Sequence, residues 1–356
     1  MQLAPNQLAA HLQKGLKSLY TVHGDEPLLI QEAADAIRAF ARTQGFTERT
    51  SHTVAGAHFD WSEVLAAGGS LSLFADKQIV ELRIPSGKPG KEGSSAIQQL
   101  AEQSRGNDAT LTLILLPRLD KLTKGGAWFG ALESFGVTLQ VEPVERNALP
   151  LWIAQRLSVQ GQRVAAGEPG QRTLQFFADR VEGNLLAAHQ EIQKLALLYE
   201  SGELTFEQIE SAVLNVARYD VFKLSEAVLA GQLVRVQRML DGLQAEGEAE
   251  VLVHYTLAED IRALKRVKDA MAQGKPMPMA LREQRVWGPK ERLFERVLPR
   301  LSDAKLAELL QAAHLVDGIV KGLKQPDWPV DNWQTLHRLA LMLGSQCAVQ
   351  APAVRA

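Results

Sequence analysis

The chain has 356 residues, enough for two or three domains of about 100 to 150 residues each. With 46% hydrophobic and 22% charged residues it has an ordinary globular composition, and a net charge of -2 excludes a global attraction to nucleic acid or to an anionic membrane. The sole cysteine, Cys347, excludes an intrachain disulfide and a cysteine-based metal site, which fits a reducing cytoplasm.

At the N-terminus, Met1-Gln2-Leu3-Ala4-Pro5-Asn6 lacks a charged start followed by an apolar run. The longest apolar stretch, around Leu113 to Leu116, is only a strand's length, so neither secretion nor a membrane span is expected. Over the first 143 residues strand-like and helix-like segments alternate, which predicts a parallel sheet with crossover helices. The segments 18–22, 79–84, 110–116 and 137–141 are short, rich in β-branched residues and bounded by Gly, Pro or Asp. The third is almost wholly apolar, as a central strand is. A helical stretch over 61–67 ends at Gly68-Gly69. Ser70-Leu71-Ser72-Leu73-Phe74 follows, before the polar run Ala75-Asp76-Lys77-Gln78. On such a short loop Leu71, Leu73 and Phe74 can either anchor in an apolar groove of a partner or cover the domain's own core.

From Pro150 onward the strand signal disappears. Apolar residues recur at three- and four-residue spacing, as in Leu185, Leu186, His189, Ile192, Leu195, Ala196 and Tyr199, so the remainder is predicted helical. The stretch Gly202 to Gln208 predicts a turn and a capped short helix closing one small bundle, and longer helices are expected from about Asp220, Glu248, Pro289, Ser302 and Pro329. The expected organisation is an α/β domain over 1–143, a small helical domain over 144–213, a larger all-α domain over 214–346 and a frayed tail over 347–356.

Catalytic chemistry is missing from the places that would hold it. After the first predicted strand comes His23-Gly24-Asp25-Glu26-Pro27-Leu28-Leu29, where a nucleotide-binding protein of this architecture puts its phosphate loop. That loop needs glycines, a lysine and a hydroxyl in the order GxxxxGK[ST], and none is here. Asp25 and Glu26 instead favour the helix dipole and repel a triphosphate. Gly87-Lys88, Gly90-Lys91 and Gly274-Lys275 precede Pro, Glu and Pro rather than Ser or Thr. At the end of the apolar third strand, Leu116-Pro117-Arg118-Leu119-Asp120 offers a proline and an arginine where metal-binding acids would stand, and Asp120 reads as a helix cap or a solvated residue. The eight histidines are scattered singly, and no GxSxG elbow precedes a helix. No catalytic, cofactor-binding or metal-binding residue is assigned.

Between Arg262 and Lys305 twelve basic residues face five acidic ones, a local excess of seven. Such a run forms either a solvated helix face or a phosphate contact, and Arg262, Lys265, Arg266 and Lys268 are the candidates to face DNA. Trp287 and Trp328 are expected in core packing rather than in base stacking.

The motifs His23-Gly24-Asp25-Glu26-Pro27-Leu28-Leu29, Ser70-Leu71-Ser72-Leu73-Phe74, Glu182-Gly183-Asn184-Leu185-Leu186 followed by Glu191-Ile192-Gln193-Lys194-Leu195, and Asp220-Val221-Phe222-Lys223-Leu224 are each weak alone. Their order and spacing together resemble the delta-subunit family of the bacterial DNA polymerase III clamp loader over nearly the full length. The resemblance implies an AAA+-like domain with a degenerate nucleotide site, a helical lid, and a helical collar by which loader subunits form a ring. It implies no ATPase activity in this chain alone and no cofactor. It also implies a clamp-binding segment of Ser70, Leu71, Ser72, Leu73 and Phe74, in which Leu73 and Phe74 match the family's leucine-phenylalanine grip on the beta sliding clamp. Opening one clamp interface then requires tighter binding to the open ring than to the closed one. The other implied partners are the tau/gamma and delta-prime subunits and, through the assembled complex, primed DNA. Gly69 stands where clamp-binding peptides often carry glutamine, which shifts affinity onto Leu71, Leu73 and Phe74. The Ser-Arg-Cys motif of arginine-finger subunits is absent, since Cys347 follows Ser345-Gln346. The alternatives are a DNA-binding helical scaffold and an active AAA+ ATPase.

Overall fold

The structure, a computed structural model, describes residues 1–56, 58–69, 77–214 and 216–348. The chain gathers into two compact units, one of Met1–Leu174 with Leu185–Thr205, the other of Gln175–Asn184 with the chain from Phe206 onward.

The first unit holds β1 (Gln2–Leu3), α1 (Leu8–Gln13), β2 (Leu19–Gly24), α2 (Pro27–Thr43), β3 (Glu48–Thr53), α3 (Trp61–Gly69), β4 (Gln78–Arg83), α4 (Gly90–Gln103), β5 (Thr110–Pro117), α5 (Lys121–Lys124), α6 (Ala127–Phe135) and β6 (Val137–Val141). After them come α7 (Leu149–Val159), β7 (Gln162–Val164), α8 (Glu168–Val181), which contributes residues to both units, α9 (Leu185–Leu198) and β8 (Gly202–Leu204). Six strands form one parallel sheet in the order β1-β6-β2-β5-β4-β3.

Even in the fully buried strands, side chains alternate between two cores. Tyr20, Val22, Leu111, Leu113, Val137 and Leu139 pack with Ala34 and Ile37 of α2, while Leu19, Val80, Leu82, Ile114 and Leu116 pack with Ile97 of α4 and Phe129 of α6. Each fully buried Leu, Ile or Phe contributes about 1.5–3 kcal/mol to holding these layers. α2 begins where its sequence directs: the Glu26 carboxylate accepts the Leu28 N–H at 3.3 Å and Pro27 occupies the first turn.

The four strands expected over 18–22, 79–84, 110–116 and 137–141 are present, shifted by a residue or two at their ends. Two strands of this sheet carried no signal. β1 is two residues long, and β3 (Glu-Arg-Thr-Ser-His-Thr) is a polar strand paired on one side to β4, with mostly exposed side chains, so it shows neither alternation nor an apolar run. The expectation of an all-helical remainder after Pro150 is corrected by β7 and β8. They pair in parallel through Gln162↔Gly202 and Val164↔Leu204, and the buried Gln162 side chain donates to the carbonyls of Leu195 and Tyr199. Three-residue strands are too short for periodicity to reveal.

The second unit holds α10 (Phe206–Ala212), α11 (Val221–Leu229), α12 (Leu233–Ala245), α13 (Glu250–Ala272), α14 (Met277–Glu283), α15 (Pro289–Val297), α16 (Asp303–Val320) and α17 (Asn332–Cys347). Helices start within a few residues of each expected position, but the breaks that separate α11 from α12 and create α14 were not foreseen. A single apolar core runs through them, with Leu224, Leu257, Ile261, Phe294, Leu309, Leu336 and Leu343 fully buried. Asp220 caps α11 by accepting the N–H groups of Phe222 and Lys223 at 2.6 and 3.2 Å, which gives the Asp220 motif its local reason. Gly183 has a structural reason as well: its φ of +76° lies in the left-handed region, and a Cβ there would overlap the carbonyl of Arg218. Cys347 is buried, and burial pushes its thiol up to about 12. Of the expected tail over 347–356, Cys347 is instead the last, buried residue of α17, and from Val349 onward the chain lies outside the described residues.

Candidate functional site

Ser70, Leu71, Ser72, Leu73 and Phe74 lie outside the described residues, and the structure describes the two ends of the segment that carries them. On one side α3 reaches Gly69. On the other, Lys77 leads into β4, and the buried Gln78 side chain donates from Nε2 to the Ala67 carbonyl at 2.7 Å, closing the last turn of α3. The Gln78 N–H donates to Ala109 at 2.9 Å, fixing the start of β4 against the chain that enters β5. Lys77 donates from Nζ to the Gln44 carbonyl at 3.1 Å, at the end of α2, and its ammonium lies 5.3 Å from the centre of the Phe46 ring. The sequence reading took Lys77 and Gln78 only as polar punctuation before the strand.

The loop between β2 and α2 is occupied by its own chain. A Cβ at Gly24 would overlap the Val141 carbonyl of β6, and the Asp25 N–H donates to that same oxygen at 3.3 Å. The first turn of α2, where an anion would sit, is taken by the Glu26 carboxylate; burial pushes this acid upward, against the hydrogen bond from Leu28. Arg118, at the end of β5, lies 3.6 Å from Asp25. His23 is buried, its ring packed edge-on against Phe129 with centroids 5.4 Å apart, and burial, aided by Lys124, lowers its pKa to about 4. It is neutral at pH 7. Asp120 caps α5 through Thr123 N–H at 2.6 Å, as its position implied. This arrangement satisfies the loop internally, with the Asp25 and Glu26 carboxylates at the start of α2. Among the described residues, no group of three or more acidic, His or Cys side chains is placed to hold a metal.

The four basic candidates all lie on α13 and already have partners. Arg262 pairs with Glu259 at 2.9 Å and lies over Tyr255, and Arg266 pairs with Glu259 at 2.5 Å and with the Gln284 side chain. Lys265 pairs with Asp269, and Lys268 donates to the Leu298 carbonyl at 3.1 Å. Trp328 is half-buried beneath Arg338, but Trp287 is 59% exposed, which corrects the expectation that it packs in a core.

Comparison with known proteins bears on the whole chain. Residues 20–142 match the family described as "DNA polymerase III, delta subunit", and residues 221–350 match "Processivity clamp loader gamma complex DNA pol III C-term". The chain is 31% identical over 345 residues to the DNA polymerase III subunit delta of Escherichia coli (strain K12), covering 96% of each. It belongs to the DNA polymerase III delta-subunit family. The same subunit of Haemophilus influenzae is 27% identical over 336 residues, 90% of this chain and 94% of that one. Among solved structures, the Bacillus subtilis DNA clamp loader delta protein shares the fold with a TM-score of 0.50 at 16% identity, covering 96% of this chain and 99% of that one. The parallel sheet flanked by helices and the helical C-terminal region match the α/β and all-α parts expected from the sequence. Membership in the delta family supports a role in the replicative clamp loader, in complex with other loader subunits.

Proposed function

We propose that this chain is the non-catalytic clamp-opening subunit of a clamp loader. It binds the beta sliding clamp through Leu71, Leu73 and Phe74, with Ser70 and Ser72 alongside, and opens one clamp interface for loading onto primed DNA. The observation that carries this reading is the Leu-Phe segment between α3 and β4 in a chain alignable to a delta subunit over 96% of its length. The self-capped loop at Glu26 supports the non-catalytic part, since a triphosphate would have to displace a carboxylate from the first turn of α2. The proposed organisation keeps the AAA+-like domain over 1–143, the lid over 144–213 and the collar over 214–346, with tau/gamma and delta-prime subunits as neighbours in a cytoplasmic complex.

Replacing Leu73 and Phe74 together by Ala is expected to abolish clamp binding with helical content unchanged. Such anchors carry about 2 kcal/mol or more each. A large fall in melting temperature would show instead that the pair belongs to the core. A second reading, DNA contact by the collar, draws on Trp287, which is exposed beside the exposed Arg282 and Arg285. Salt-sensitive DNA binding by the isolated chain, lost on Trp287→Ala, would favour it.

A further inference from the structure

We infer that the cavity beside Trp61 is a docking site for an acidic, proline-containing peptide segment of a partner protein, bound in extended form. The cavity measures about 820 Å³, within the roughly 300–1,000 Å³ of ordinary ligand sites. It opens at the carboxyl ends of β3 and β4, between the chain that leaves β3 at Val54 and the first turn of α4. No residue of the β2–α2 loop lines it.

Val54 and the indole of Trp61, the first residue of α3, form the buried floor; Trp61 is 8% exposed. The indole N–H has no hydrogen-bond partner among the described residues, an exception for a tryptophan so deeply placed. A ligand carbonyl in the cavity would supply the missing acceptor. The ring itself is covered: Phe59 packs edge-on with centroids 5.1 Å apart, and a Cβ on Gly93 would overlap its Cζ2 edge. Too little of a face is left for a nucleic-acid base to stack on. Pro85 and Pro89 add apolar surface nearer the mouth, and beside them Lys88 and Lys91 are exposed, with no carboxylate in contact among the described residues. Lys88 lies within electrostatic reach of Asp120, but that carboxylate is committed to capping α5. Pro89 stands at the N-cap of α4 and offers no side-chain acceptor, so the first N–H groups of the helix add to the positive side. Glu92 is the one acid among the lining residues, and the Ser86 hydroxyl is spent on the Lys88 backbone, donating to its carbonyl and accepting its N–H, each at 3.2 Å. The cavity therefore offers donors and apolar surface and little to accept an N–H. A peptide proline fits this balance, since it brings a carbonyl for the indole, a ring for the apolar walls and no N–H of its own. Acidic neighbours on the same peptide would meet Lys88 and Lys91.

The test uses the full chain, with affinity read by calorimetry and the Trp61 indole N–H followed by nuclear magnetic resonance, its signal being the one that Trp61→Phe removes. The probes are a capped hexapeptide of alternating glutamate and proline, the same peptide with alanine for proline, its lysine-for-glutamate counterpart, inorganic phosphate and a short oligothymidylate. Docking predicts a saturable shift of the indole signal with the glutamate-proline peptide. Binding is expected to weaken about fivefold for the alanine version and for Trp61→Phe, the size of one lost hydrogen bond. Reversing both cations in Lys88→Glu, Lys91→Glu is expected to weaken it about tenfold, and Glu92→Gln to tighten it a few-fold. These three side chains are exposed, so their variants report even if Trp61→Phe unfolds. No shift with the glutamate-proline peptide, equal binding of the alanine or lysine version, or unchanged affinity in Lys88→Glu, Lys91→Glu would overturn the inference. A shift produced by phosphate or oligothymidylate but not by the peptide would overturn it as well, and would make the cavity a phosphate site instead.

Discussion

Glu81 gathers more charge than any other buried side chain of the sheet. It is fully buried in β4, with Arg38 at 2.6 Å, Arg83 at 2.7 Å and Arg49 at 3.1 Å. Burial alone would raise this acid, but the hydrogen bonds from Arg83 and Arg38 outweigh it and hold the carboxyl below its usual 4.5. Its contribution to stability is therefore present above about pH 4.5 and lost as pH falls further. His23 acts in the same direction in a higher window. Its pKa is lowered from 6.5 to about 4, so the folded state binds fewer protons than the unfolded one between those values and stability falls as pH drops through them. Melting temperature is expected to decline steadily from pH 7 to pH 4, with the 6.5–4 limb flattened in His23→Leu. Glu81→Gln is expected to cost about 3 kcal/mol at pH 7, because Arg38 is left buried without its anion. Equal melting of wild type at pH 7 and pH 4 would contradict the assignment of both groups.

At the scale of elements, three helices of the second unit meet at one buried carboxylate. Asp260 of α13 accepts from Ser225 of α11 at 2.5 Å and pairs with Lys290 of α15 at 2.5 Å, and burial raises its pKa. Lys290→Met should destabilise the chain by about 3 kcal/mol by leaving that acid unpaired, while the double change Asp260→Leu, Lys290→Met should recover much of it; chemical denaturation measures both. No spacing rule announces such a site, since Asp260 and Lys290 are thirty residues apart on different helices. What the sequence does announce is what repeats locally. The apolar run of β5, the short β-branched strands β2 and β6 and the helix starts after Asp120 and Asp220 follow from neighbouring residues. β3 escaped because an exposed polar strand is held by the backbone of β4, and Trp287 because an aromatic side chain signals burial unless its surroundings are known. The missing phosphate loop was legible in the residues. That the space is filled by Glu26 and the Val141 carbonyl was not, since β6 lies more than a hundred residues away.

For the whole molecule, the alignment to delta subunits joins a β2–α2 loop held by its own chain to a segment proposed to grip a clamp. No helix among the described residues is long and apolar enough to cross a membrane. Division of labour between the two units predicts that the Leu73→Ala, Phe74→Ala variant still assembles with tau/gamma and delta-prime subunits, as gel filtration of the mixture would show. Loss of assembly would place the pair in the subunit contacts. The central claim is that binding of this chain opens a ring. The measurement that tests it most directly is energy transfer between dyes placed across one interface of the purified beta clamp, as the chain is added. The account predicts a fall in transfer that saturates with wild type and is absent with Leu73→Ala, Phe74→Ala; tight binding with transfer unchanged, or the same fall with the double variant, would contradict it.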